Sequence, residues 1–123
     1  MKDVYEPDNE DIYEWLNSRS YRWPESDWDY YVLNGKNDLL IFKLANDQDC
    51  FQRLFFIHAL YYLVGDYYHS GMTDYNKHKR IIKLISKVND DCCPEIIKWK
   101  NETINLLSNK SKFNIEYWLH HMF

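Results

Sequence analysis

Residues 51–68 read FQRLFFIHALYYLVGDYY, and no charged residue falls between Arg53 and Asp66. Apolar and aromatic side chains run right round the helical wheel instead of marking one stripe, the pattern of a helix enclosed by others. The run is too short to span a bilayer, which takes about 20 apolar residues, and it carries His58 and Gly65 inside it. It reads as a central helix over about 48–69, wrapped by the rest of the chain.

Helical signals recur on both sides. Asp8 caps a first helix to Ser18 that turns Ile12, Trp15 and Leu16 inward. The Trp23-Pro24 step resists helix, after which Ser26 reads as the cap of a short helix that closes at Asn34-Gly35. Asn37 or Asp38 opens a third helix with Leu40, Leu44 and Ile41 or Phe42 facing the core, and Asp47 or Gln48 starts the central one. Thr73 or Asp74 caps a fifth, with His78, Ile81, Ile82, Ile85 and Val88 as its stripe and Lys77, Arg80, Lys83 and Lys87 off it. Pro94 suits the first position of a sixth helix with Ile96, Ile97, Lys100, Ile104 and Leu107 inward. The last runs to about His121 with Ile115, Trp118, Leu119 and Met122.

With 123 residues, three Gly, three Pro and no strand-like alternation, the expectation is one all-α domain over 1–123. Its six or seven short helices pack as antiparallel pairs around the buried central one. The opening residues are acidic and lack an apolar segment, so no secretory leader is expected and the compartment is read as cytoplasmic. Cys50 and the adjacent Cys92 and Cys93 make an odd set, unlike a disulfide framework.

The net charge of −4 is unevenly spread. Residues 1–31 hold nine Asp/Glu against three Lys/Arg, whereas residues 74–123 hold six against nine. An acidic, aromatic N-terminal third is a poor nucleic-acid surface and a fit for a basic protein partner. The stretch YRWPESDWDYY, 21–31, concentrates this character: its rings outnumber what a short segment readily buries, and its carboxylates would rim them. Aromatic anchors rimmed by acids have the composition of a binding hot spot. The candidate partner-binding residues are therefore Trp23, Glu25, Asp27, Trp28, Asp29 and Tyr30, with Asp66 and Tyr67 at the exit of the central helix in reserve.

Signals for catalysis are few. Arg53-Leu-Phe-Phe-Ile-His58 resembles the R-x4-H pattern of HEPN-domain ribonucleases, in which Arg would hold phosphate and His would move a proton. Leu54 stands where that family usually has a polar residue, and His58 is read as structural, hydrogen-bonded within the core. Asp74 and His78 lack a third ligand at matching spacing, and His120 and His121 are adjacent on a helix, so no metal site is expected. Lys79, Arg80, Lys83 and Lys87 could serve a nucleic-acid-binding regulatory module, but the net acidic charge and the lack of a nucleic-acid motif favour reading them as a solvated helix face.

The stretch ALYYLVGDYY, 59–68, set in a small helical chain with an acidic aromatic face, resembles small all-α immunity proteins of bacterial toxin systems, such as those guarding against contact-dependent growth inhibition toxins. That resemblance implies a non-enzymatic cytoplasmic protein without cofactor. It would bind a cognate toxin domain, commonly a basic nuclease, and cover its active site, with neither membrane nor nucleic acid as partner.

Overall fold

The computed structural model describes residues 3–120. Within them the chain forms seven α-helices and no strand: α1 (Asn9–Asn17), α2 (Trp28–Tyr31), α3 (Asp38–Ala45), α4 (Arg53–His69), α5 (Tyr75–Ile85), α6 (Pro94–Ser108) and α7 (Ile115–Leu119), with one 3-10 turn at Lys110–Lys112. The expected all-α architecture is the observed one. His121 and Met122, assigned above to the last helix, lie outside the described residues.

The central helix is α4. It touches α2, α3, α5, α6 and α7, and Trp15 of α1 sets its ring against Phe55 and Phe56. Phe56, Ile57, Ala59, Leu60, Tyr61, Leu63 and Val64 are fully enclosed, as a wheel apolar on every side demands. Its start differs from the reading of 48. Asp47 turns its carboxylate onto the Asp49 amide at 2.9 Å, and the Cys50 amide donates to the Asp47 carbonyl at 3.0 Å. This local turn competes with helix and delays regular winding until Arg53.

Capping chemistry accounts for other ends. Asp8 and Asp11 form a reciprocal capping box at α1, Asp74 accepts from the Lys77 amide at α5, Pro94 opens α6, and Asn114 accepts from the Tyr117 amide at α7. Ser26 does not cap α2, because its amide and hydroxyl both bond the Glu25 carboxylate. Asn37 precedes α3, but its buried amide instead donates to the carbonyls of Pro7 and Val32 at 2.9 and 3.1 Å, tying the N-terminal segment to the α2–α3 corner.

Three inward faces differ from the expected ones. On α5 the buried residues are Ile81, Leu84 and, just beyond, Val88, while Ile82 is 44% exposed. The cause is charge: Arg80 reaches α3, bonding both Asp38 oxygens at 2.8 and 2.9 Å and the Leu33 carbonyl, and Lys77 binds Asp66 of α4. These two cations stand at the packed margin, not on a free basic face. On α6, Ile96, Trp99, Thr103 and Leu106 turn inward and Ile104 outward, because Trp99 takes the interior. On α7, Trp118 and Leu119 are buried but Ile115 is exposed.

Gly65 is a close-packing point. A Cβ there would lie 2.9 Å from Leu119 Cδ2 and Trp118 Cβ and 3.1 Å from the Trp118 carbonyl carbon, so α7 seats directly on its backbone. Overpacking of this kind costs about 1–3 kcal/mol, against a gain of about 1 kcal/mol in helix propensity. Gly65→Ala is therefore expected to lower stability by about 1 kcal/mol in urea unfolding, with α7 loosened. An increase in stability would contradict the packing.

Candidate functional site

One face of α4 and the segment before α3 build the site. His58, Tyr62 and Asp66 fall at i, i+4 and i+8, which aligns them along one side of α4. Against that side the chain lays the connector 20–27 and α2, held from beneath by two buried groups. Trp28 is fully buried, its ring 4.9 Å from Trp15 and 5.7 Å from Phe55. Asp29, 9% exposed, accepts from His58 Nε2 at 2.8 Å.

The face itself is a string of rings. Trp23 meets Phe55 and His58 at centroid distances of 5.1 and 6.2 Å, His58 meets Tyr62 at 5.9 Å, Tyr62 meets Tyr30 at 6.1 Å, and Tyr30 meets Tyr31 at 6.0 Å. Between α2 and α4 it opens into a groove of about 400 Å³ lined by Asp27, Tyr30, Tyr31, Tyr62 and Asp66. Trp23 and Tyr30 are 38% and 47% exposed, Asp27 is exposed and Glu25 half-exposed.

The candidate residues thus divide. Trp23, Glu25, Asp27 and Tyr30 reach the surface, and Asp66 joins them across the groove with one oxygen held by Lys77. Trp28 is core, Asp29 is a buried support for His58, and Tyr67 is 8% exposed. Tyr31 and Tyr62 belong to the groove but were not among the candidates. Tyr62 lay concealed in the apolar run, although its spacing from His58 and Asp66 carried the signal.

The groove is electronegative. Burial first, then the carboxylates of Asp29, Asp66 and Asp27, push the Tyr62 phenol up to about 12. Burial and then Asp27 and Glu25 raise Tyr31 as well.

A second cavity, of about 340 Å³, lies between α6 and α7 and is lined by Glu102, Asn105, Lys112, Asn114, Tyr117 and Trp118 among others. There the Tyr61 and Tyr117 phenols donate to the two oxygens of Glu102 at 2.7 and 2.5 Å. Burial and then Glu102 push Tyr117 up to about 12 and Tyr61 higher still. Folding favours the neutral phenol at Tyr62 and Tyr117. Their contribution to stability is therefore fully present below pH 10, the ordinary phenol value, and lost as pH rises toward 12. A phenolate titration followed in the ultraviolet should show late-ionising tyrosines, with unfolding beginning in that window. Release of every phenol near pH 10 with the fold intact would contradict it.

Arg53 and His58 do not converge. Five residues place them about 140° apart round the helix. Arg53 is engaged at the N-terminus of α6 and the end of α3, bonding Glu95 at 2.7 Å, Cys93 Sγ at 3.1 Å and the Ala45 carbonyl at 3.2 Å. His58 faces Asp29 on the other side. The Asp74 carboxylate is taken by the α5 cap, and the His78 ring lies 5.5 Å from that of Tyr67. Of the basic set on α5, Lys79, Lys83 and Lys87 remain exposed, and Lys79 sits 4.9 Å over the Tyr75 ring.

Comparison with protein-family models, curated proteins and solved structures gives no match. Among the described residues no helix is long and apolar enough to cross a membrane.

Proposed function

We propose that the chain is a non-enzymatic inhibitor, an immunity protein that binds a cognate bacterial toxin domain of basic charge, a nuclease by preference, and covers its active site. The observation that carries this reading is the exposed acidic aromatic face, where Asp27 and Tyr30 meet Tyr62 and Asp66 across one groove, with Glu25 and the Trp23 ring, packed on Phe55 and His58, on the connector that leads into it. Such a face complements a protein built to hold phosphates, because its carboxylates take the places that phosphates would occupy. The rings supply the desolvated area on which affinity depends. A ribonuclease reading through Arg53 and His58 draws no support from two side chains committed to different partners.

The test is capture with tagged protein from a lysate of the source cell, with nuclease treatment in parallel. One stoichiometric basic protein that survives nuclease, and whose toxicity the chain suppresses on co-expression, is the expected result. Recovery of nucleic acid alone, or only of a self-associated dimer, would overturn the proposal.

A further inference from the structure

We infer that the groove between α2 and α4 receives an arginine side chain of the partner protein, an inference that rests on reading this face as the partner surface. The groove's lining favours a planar cation. Its volume of about 400 Å³ exceeds what one side chain needs, so water or a neighbouring residue of the partner can enter beside it. Tyr31, Tyr30 and Tyr62 offer ring surface, with Tyr30 6.0 Å from Tyr31 and 6.1 Å from Tyr62 between ring centroids. A guanidinium stacks on such rings and stays within cation–π reach of them.

Charge decides the sign of the occupant. Asp27 and Asp66 line the groove and Asp29 stands behind Tyr62, whereas Lys77 is the cation already bound there, on Asp66. Three carboxylates, set against the Lys77 ammonium on Asp66 and the His58 ring on Asp29, leave the groove negative and repel phosphate, so a nucleic-acid backbone is a poor occupant. Because Lys77 holds Asp66, the exposed carboxylate of Asp27 is the one placed to accept a partner's donors.

Arginine suits this lining better than lysine. Its flat, weakly hydrated fork can lie on a phenol ring and still donate two parallel hydrogen bonds to a carboxylate, whereas an ammonium is a compact, strongly hydrated point charge. Arginine is also the cation most enriched among binding hot spots.

The experiment uses isotope-labelled protein titrated with acetyl-Gly-Arg-Gly-amide, with its citrulline and lysine counterparts as controls. Amide shifts confined to residues 27, 30, 31, 62 and 66 and their neighbours are expected, with the arginine peptide binding about tenfold more tightly than either control. Asp27→Asn, a surface change whose thermal melt should match the parent, is expected to weaken the arginine peptide by a similar factor. Shifts scattered over the surface, equal binding of the citrulline or lysine peptide, or an Asp27→Asn protein that binds unchanged would overturn the inference while leaving lysate capture standing. Groove-confined arginine binding with no basic protein captured would support the site and sink the toxin-inhibitor reading.

Discussion

Trp28→Ala should lower the unfolding free energy by about 3–5 kcal/mol, the usual cost of emptying a core of a large aromatic ring. Trp28 is fully buried, and it joins α1 to α4 through its contacts with Trp15 and Phe55. Its Nε1 has no hydrogen-bond partner, so the substitution abandons no bonded group and the loss is one of packing and apolar area. Against a total stability of about 5–15 kcal/mol for an ordinary domain, that loss is a large fraction of what holds the fold. Urea melts measure this directly. A loss below about 1 kcal/mol would mean that the ring stands at the surface.

Asp29→Lys is expected to be nearly as damaging, by about 3 kcal/mol or more, for an electrostatic reason. The native carboxylate accepts from His58 Nε2 at 2.8 Å and from the Tyr30 amide at 3.0 Å, and it is 9% exposed. A lysine there removes both acceptors and sets an ammonium against the His58 imidazole among buried rings. Asp29→Asn keeps an acceptor for the imidazole N–H and should cost far less, so the pair of variants separates charge from hydrogen bonding in thermal melts. Equal effects from both would show that the retained acceptor contributes nothing and that the carboxylate's charge carries the loss. Asp27→Lys, two residues away and exposed, should leave the melt unchanged.

That contrast also shows how far the sequence could be read. The central helix was legible because a charge-free wheel has no other stable home, whereas Gly65 fits a close approach or a loosened turn equally until α7 is placed on it. Its first turn was not, because the Asx turn at Asp47 competes locally with helix and the two differ by little energy. The stretch 21–31 disclosed its composition but not its orientation. Trp28 and Tyr30 are only two residues apart on a helix of one turn, and which of them enters the core is decided by Trp15 and Phe55, far away in sequence. The basic face of α5 was misjudged for a similar reason. Helical spacing assigns Lys77 and Arg80 to a side, but only the fold brings Asp66 and Asp38 to meet them. Tyr62 went unnoticed because a tyrosine inside an apolar run reads as core until α2 is placed beside it.

The central claim is that the acidic aromatic face is the binding surface. The most direct measurement titrates the basic protein captured from lysate against the parent chain and a Glu25→Lys/Asp27→Lys variant, at moderate and at high salt. Both residues lie on the solvent side of the face, so the fold should hold. The account predicts an affinity loss of about 100-fold or more for the variant, with a salt dependence weaker than the parent's. Equal affinity for the two chains, at unchanged thermal stability, would contradict it and move the binding surface elsewhere on the helices.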